Sequence, residues 1–329
     1  MRVLITGGAG FIGAHLAQSY LADGCRVDLL DNLSRGQHDA TLASILAMPG
    51  ANLVECDLLA PGALDGLDND YDTIVHLAAI VGVANVNRQP YAVLRKNVDL
   101  LSAILELAAR QRDLRRLVFA STSEVYAGTA EAGDLPIPTP EDVQIVLPDL
   151  AGSRSSYLLS KLYGEAMCRH AGVPFTIIRP HNVYGPRMGL AHVVPELMQR
   201  ATQAPDGGRL TVHSPDHRRA FCYVSDAVAL IKRLAAAHQA QGGVFNIGNQ
   251  AQEIAMVALA KDITRIVGRR LKVERGADTP GSPRRRCPDM TRSIAASGFE
   301  PKVSLDQGLR ETYAWYARHV FADTVKAAS

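Results

Sequence analysis

A short apolar strand running straight into a glycine-spaced turn constrains this chain more than any other feature. Residues 3–5 are Val-Leu-Ile, glycines follow at Gly7, Gly10 and Gly13, and residues 13–22 read as a helix. Glycine at those positions permits a tight turn and lets the backbone come close to a ligand. The helix N-terminus adds free N–H groups and a partial positive charge. Such a turn, placed between a first strand and a first helix, fits the phosphates of a dinucleotide; the competing reading is a glycine-rich turn with no ligand.

The rest of the chain continues the alternation. Strand patterns fall at residues 27–30, 53–55, 73–77, 117–120 and 175–179, and helical apolar spacing at residues 94–110 and 156–170. Alternating strands and helices predict an α/β fold, a Rossmann-type doubly wound parallel sheet. After Pro180 proline, glycine and basic residues become frequent between short elements. The expected division is a dinucleotide-binding Rossmann domain over residues 1–180, rejoined by a segment near 220–250, and a smaller α/β substrate-binding domain over residues 181–329. Residues 244–247 are the candidate returning strand. The proline-rich stretch 135–148 reads as a surface loop, and a loop that long is often functional.

Composition excludes several alternatives. The formal net charge of +2 gives no global attraction to nucleic acid or to an anionic membrane, so anion binding must be local. No apolar run reaches the ~18 residues of a membrane span, and residues 1–6 enter a strand pattern rather than a signal peptide. The five cysteines, at 25, 56, 168, 222 and 287, form no CxxC pair or Cys/His cluster, which argues against a disulfide framework or a bound metal. Reduced thiols in a cytoplasmic protein are the simplest reading.

Three groups of residues carry the chemistry. Asp31 ends the second strand about 20 residues after the glycines, where a carboxylate accepts bonds from adenosine ribose hydroxyls and repels a ribose phosphate; this favours NAD over NADP, against a plain solvated turn at Asp31-Asn32. Asp57 follows the third strand and can meet the adenine or cap a helix. Tyr157 and Lys161 are spaced i, i+4 and share a helix face. A phenol with a solution pKa near 10 is a poor base at neutral pH, and a neighbouring ammonium plus the charge of oxidised nicotinamide favour its phenolate. Tyr157 can then take a proton from a sugar hydroxyl, although this spacing also describes a partly buried tyrosine beside a solvated lysine. The fifth strand ends in Ser121-Thr122-Ser123-Glu124, at the edge that faces the ligand crevice. Thr122 can bond the reacting oxygen and Glu124 can act as a second acid/base group; for Ser123 and Glu124 ordinary loop capping competes.

Taken in order, these motifs resemble the extended short-chain dehydrogenase/reductase family, in particular its NAD-dependent nucleotide-sugar epimerases, dehydratases and decarboxylases. The resemblance rests on Gly-Gly-Ala-Gly-Phe-Ile-Gly at 7–13, Asp31-Asn32-Leu33, His76-Leu77-Ala78-Ala79, residues 121–126, Tyr157 and Lys161, Arg-Pro-His-Asn-Val-Tyr-Gly-Pro at 179–186, Arg-Ala-Phe-Cys-Tyr-Val-Ser-Asp at 219–226 and Asn-Ile-Gly-Asn at 246–249. It implies catalytic positions at Tyr157, Lys161 and Thr122, a diphosphate contact at Asn182, and phosphate-holding arginines at Arg219 and within Arg284–Arg286, with Arg286 favoured over a solvated basic loop. The expected cofactor set is Gly7, Gly10, Phe11, Ile12, Gly13, Asp31, Asn32, Asp57, Leu58, Leu77, Ala78, Ala79, Asn97, Tyr157 and Lys161. His181 and His192 lie near the expected sugar pocket, as sugar contacts or as structural imidazoles.

The resemblance implies oxidation of a sugar at C4 with later return of the hydride. The expected partner is a nucleoside-diphosphate sugar, with UDP favoured, and no nucleic acid or membrane; helices 94–110 and 156–170 resemble the family's homodimer interface. The main expectation for the net reaction is 4-epimerisation, because Ser123 and the stretch Tyr157-Leu158-Leu159-Ser160-Lys161, which lacks the acidic pair typical of the decarboxylases, fit neither competing chemistry in full. The alternative is a decarboxylase of the UDP-glucuronate type or a 4,6-dehydratase using Glu124. A protein that keeps the NAD fold without catalysis is the more distant reading.

Overall fold

The computed structural model describes residues 1–36, 38–279 and 281–322. Six parallel strands and their crossovers come first: β1 (Arg2–Thr6), α1 (Phe11–Ala22), β2 (Arg26–Asp31), α2 (Ala40–Leu46), β3 (Ala51–Glu55), β4 (Thr73–His76), α3 (Val83–Arg88), α4 (Pro90–Ala109), β5 (Arg116–Ala120), α5 (Ala127–Glu131), α6 (Ser155–His170) and β6 (Phe175–Pro180). The expected strands and helices are all present, most with ends shifted by a residue or a few. The helix after the glycines starts at Phe11 rather than Gly13, because Gly10 already accepts the first intrahelical bond from Ala14 N.

Beyond β6 the elements are shorter: β7 (Val183–Tyr184), α7 (Val193–Gln203), β8 (Arg209–Val212), β9 (Arg218–Ala220), β10 (Cys222–Tyr223), α8 (Val224–Ala236), β11 (Val244–Ile247), β12 (Glu253–Ala255), α9 (Met256–Val267), β13 (Lys272–Arg275), β14 (Arg285–Arg286), α10 (Thr291–Ser297) and α11 (Leu305–His319). Residues 244–247 do return to the main sheet, as its edge strand beside β6.

The main sheet has the order β11-β6-β5-β4-β1-β2-β3, with every pair parallel. Strand side chains alternate between its faces. Val3, Ile5, Val75, Val118 and Ile178 enter the core shared with α1 and α8, while Leu4, Ile74, Leu117, Phe119 and Ile177 enter the core shared with α4. Burial on both faces explains why these strands read as continuous apolar runs. The strand order reverses between β1 and β4, so the connections leaving the carboxyl ends of these two parallel strands run to opposite sides and open a crevice between them. The glycine turn opens directly from β1 into that crevice.

The remaining strands form small sheets, β12-β9-β14, β13-β8 and β10-β7. The stretch from 134 to 149 has no helix and no ladder strand, as its prolines predict. It is fastened to β14 by Thr139 N donating to Cys287 O (2.9 Å) and Asp289 N donating to Thr139 O (2.8 Å). That fastening holds Arg286 at the rim of the crevice.

Candidate active site

The glycine turn has the shape a pyrophosphate requires. Gly7 has φ +69°, a left-handed conformation, and a Cβ on it would stand 3.0 Å from Ala78 N. A Cβ on Gly13 would lie 2.2 Å from Gly7 O, so the first turn of α1 can nest against β1 only with glycine there. No acidic residue occupies that first turn, which leaves its N–H groups for an anion. The side chains of Phe11 and Ile12 pack against the core. What they can offer a cofactor is therefore backbone amides.

Leu77, Ala78 and Ala79 run beside this turn, set by the end of β4. Thr6 Oγ1 accepts from Ala78 N (3.2 Å) and lies 2.8 Å from His76 Nδ1. His76 is buried and its pKa is pushed down to about 3 by burial, then by the Lys161 ammonium, so it is a neutral structural imidazole. Asn97 on α4 closes the same loop: its Oδ1 accepts from Ile80 N (2.7 Å) and its Nδ2 donates to Ile80 O (3.1 Å). The expected contact at Asn97 is thus a brace for the loop beside the glycines.

Asp31 reaches back to the turn, accepting from Ala9 N (3.0 Å) with Oδ2 and from Leu33 N (2.8 Å) with Oδ1. A carboxylate fixed at the end of β2 can also accept from ribose hydroxyls, so the residues present fit NAD. Asn32 is exposed and accepts from Ser34 N (3.1 Å). Asp57 accepts from Leu59 N (3.0 Å), capping a turn rather than a helix, and the Leu58 side chain is buried in the second core. The side chain of Leu58 is therefore not presented to the crevice.

Tyr157, Lys161 and Thr122 come together from α6 and the end of β5. Lys161 is buried, donates from Nζ to Ala120 O (2.7 Å) and lies 5.9 Å from the Tyr157 ring centre. Burial pushes its pKa down to about 8. Thr122 hydrogen-bonds the Tyr157 hydroxyl. Its own Oγ1 also accepts from Glu124 N (3.2 Å), which starts the short 3-10 turn Ser123–Tyr126. The expected phenolate does not form in these surroundings alone. Burial pushes the Tyr157 phenol up to about 12, the Thr122 bond opposing and Glu124 adding to it. Lys161 is engaged with a carbonyl, so a further positive charge is needed to release the phenolic proton. Oxidised nicotinamide supplies such a charge.

Ser123 is buried in its turn, whereas Glu124 is partly exposed and pairs with Arg286 at 2.9 Å. Arg286 and Arg219 are register partners on β14 and β9. Arg219 donates to Ser282 Oγ (2.9 Å), and its pKa is pushed down to about 10 by burial and by the Arg286 cation. Two neighbouring guanidiniums can offer a local site for an anion in a chain of low net charge. Arg285 of the same run is occupied elsewhere, making a two-pronged pair with Glu253 (2.6 and 2.8 Å). Asn182 sits at φ +39° and donates to Ala220 O (3.1 Å), fixing β9 beside the crevice.

The two histidines separate. His181 is buried and donates from Nε2 to Asn246 Oδ1 (3.0 Å), since Asn246 Nδ2 donates to Thr139 O and Asp289 O. It belongs to the structural network behind the site. His192 is exposed at the N-cap of α7 without a side-chain capping bond.

Sequence reasoning missed the polar support beneath these residues. Glu165 on α6 accepts from Ser121 Oγ (2.6 Å) and from Arg179 Nε and Nη2 (2.9 and 2.7 Å), and Arg179 also donates to Tyr126 OH (2.9 Å). This buried network locks the end of β5, hence Thr122, against the helix of Tyr157 and Lys161. The only sequence signal for Glu165 was its position four residues after Lys161, one helical turn along the same face.

A family model described as "NAD dependent epimerase/dehydratase family" matches residues 3–248. The chain is 32% identical over 332 residues to a UDP-N-acetyl-alpha-D-glucosaminuronate decarboxylase of Bacillus cytotoxicus, covering 96% of this chain and 97% of that protein. It is 34% identical over 318 residues to UDP-glucuronic acid decarboxylase 5 of Arabidopsis thaliana, covering 94% and 87%. Among solved structures it resembles UDP-glucuronic acid 4-epimerase of Bacillus cereus in complex with UDP-glucuronic acid and NAD (TM-score 0.80, 25% identity, covering 96% and 98%). It also resembles a UDP-glucose 4-epimerase of Thermotoga maritima with UDP-glucose (TM-score 0.81, 26% identity, covering 97% and 99%).

Proposed function

The chain belongs to the NAD dependent epimerase/dehydratase family, and from that premise we propose that it decarboxylates a UDP-linked hexuronic acid. The relatives at 32% and 34% identity are named decarboxylases of UDP-hexuronates. They favour this reading over the 4-epimerisation expected from the sequence. The missing acidic pair in the Tyr157–Lys161 segment is outweighed by the ion pair between Glu124 and Arg286. That pair is the observation that carries the proposal, because it stands one turn from Thr122 and beside Arg219. A hexuronate brings a carboxylate as well as a diphosphate, and a simple epimerisation uses no such acid/base pair.

Tyr157 takes the proton of the C4 hydroxyl, held by Thr122. NAD, which the glycine turn and Asp31 would hold, would supply the hydride acceptor for C4 and the hydride donor for its later reduction. Lys161, seated on Ala120 O, presents its ammonium beside the phenol and favours its ionisation. The resulting sugar is a β-keto acid: the C5–C6 bond breaks, carbon dioxide leaves, and the electron pair moves onto the C4 oxygen as an enolate. Arg286 orients the departing carboxylate. Glu124 relays a proton from water to C5, the enolate returns to a ketone, and Tyr157 gives back its proton as C4 is reduced. Arg219 holds the diphosphate, the glycine turn and Asp31 hold the cofactor, and Asn182 fixes β9. The apolar face on α4 and α6, with Tyr91 75% and Tyr163 59% exposed, is covered by a second copy of the chain.

Incubation with NAD and either UDP-glucuronate or UDP-N-acetylglucosaminuronate, followed by mass spectrometry, tests the reading. A product lighter by one carbon dioxide is expected. An isomer of unchanged mass would restore the epimerase, and loss of water the dehydratase.

A further inference from the structure

The segment that follows β7 contains a side chain to which none of the roles above is assigned. Arg187 has φ +67°, a strained conformation for a residue other than glycine, and its side chain is only 5% exposed. It reaches across to the glycine turn, donating from Nη1 to Ala9 O (3.2 Å), with Gly10 O 3.5 Å away. Its Nε donates to Asp39 Oδ2 (2.7 Å). Asp39 is itself fixed, since its Oδ1 caps α2 by accepting from Leu42 N (2.8 Å). The neighbours of Arg187 are tied down as well. His15 on α1 donates from Nε2 to Pro186 O (3.0 Å), and Tyr316 on α11 donates to Met188 O.

We infer that Arg187 is a positioning residue for the cofactor, a clasp that aims the glycine-turn amides at the dinucleotide's pyrophosphate. The argument follows from peptide geometry. In a trans peptide the carbonyl and the following N–H point in opposite directions. Gripping Ala9 O and Gly10 O on one side therefore fixes the direction of the N–H groups of Gly10 and Phe11 on the other. The Gly10 N–H is already turned inward to Gly7 O (3.1 Å), so the Phe11 amide and those after it in the first turn of α1 are the ones directed outward. A cation at a helix N-terminus opposes the helix dipole. The Asp39 carboxylate offsets that cost and keeps the guanidinium on the carbonyl side. Arg187 thus links the segment after β7 to the phosphate-binding turn by side-chain bonds that do not touch the ligand.

The inference rests on NAD as cofactor and not on which sugar is processed, so its test uses no sugar. The probes are NADH, ADP-ribose and adenosine, titrated by fluorescence or calorimetry against the full chain and against Arg187→Met. NADH and ADP-ribose, which both carry the pyrophosphate, are expected to weaken about tenfold, equivalent to about 1.4 kcal/mol. Adenosine, which carries no phosphate, is expected to change by less than about twofold. Arg187→Lys keeps one bond to Asp39 or to a carbonyl and is expected to show the same pattern with a smaller loss; it serves in place of the methionine variant should that fail to fold. Equal weakening of all three probes would show a general loosening and overturn the inference. So would unchanged NADH affinity, or a loss confined to NADH, which would place the defect at the nicotinamide end.

Discussion

Replacing Glu124 by glutamine separates catalysis from stability and binding at one position. The Glu124–Arg286 pair spans 2.9 Å, with side chains 39% and 21% exposed. A pair so open to solvent contributes about 0–1 kcal/mol to folding. In a chain of this length that corresponds to a Tm shift of no more than about 2–4 °C. The amide preserves the shape of the turn, because it is Glu124 N, not the side chain, that bonds Thr122 Oγ1. Loss of the negative charge beside Arg286 and Arg219 makes the anion site more positive, so UDP is expected to bind equally or a few-fold more tightly. Turnover has no such protection. Removing a positioned proton relay costs about 10²–10⁴-fold. The three readouts are kcat on UDP-glucuronate by coupled chromatography, UDP affinity by calorimetry, and Tm by differential scanning calorimetry. Turnover within about threefold of the parent would refute the role given to Glu124. A fall in Tm of ten degrees would refute the premise that its pair is energetically minor.

Other expectations follow from the buried groups and the exposed face. His76 and His181 are both held neutral, with pKa values pushed from 6.5 down to about 3 by burial. Below about pH 6.5 the unfolded chain takes up protons on these rings and the folded chain does not. Stability is therefore complete above that pH and falls towards pH 3, by up to about 1.4 kcal/mol per pH unit for each ring. Urea melts of His181→Phe across pH 4–7 should show the slope reduced by one ring's share; an unchanged slope would mean that His181 does not titrate on unfolding. Glu165→Gln leaves the Arg179 guanidinium buried without its carboxylate, and a loss of about 3–5 kcal/mol is expected by denaturant unfolding. A loss below about 1 kcal/mol would show that water reaches the pair. Tyr163→Glu places a charge on the apolar α4–α6 face and should convert a dimer to a monomer in light scattering at micromolar concentration; a parent chain that is already monomeric would remove the dimer.

The sheet was legible because its strands are buried on both faces and separated by amphipathic helices. The glycine turn was legible for a similar reason: Gly13 has no room for a Cβ, and that kind of constraint is written locally. The i, i+4 placement of Tyr157 and Lys161 likewise needs only helix geometry. What stayed hidden depends on contacts between distant segments. That Arg286 alone of its run faces Glu124 follows from β14 pairing with β9 beside the crevice, and a run of three arginines carries no sign of which member is turned inward. The Glu165–Arg179 pair joins residues 14 apart on different elements, and each looks like an ordinary charge in the sequence. Arg187 was visible as a residue of a quoted segment, but its grip on Ala9 spans 178 positions. The net reaction was the least legible. Epimerisation and decarboxylation share the tyrosine, the lysine and the cofactor turn, and differ in how one carboxylate and one arginine are disposed.

The most direct test of the decarboxylase reading is real-time carbon NMR of the NAD-loaded protein with UDP-glucuronate labelled with ¹³C at C6. Decarboxylation predicts that the C6 carboxylate signal disappears while labelled carbon dioxide and bicarbonate grow in its place, with an unlabelled UDP-pentose as the other product. If the label instead stays on the sugar and moves to the carboxylate of the C4 epimer, the account is contradicted and the protein is an epimerase.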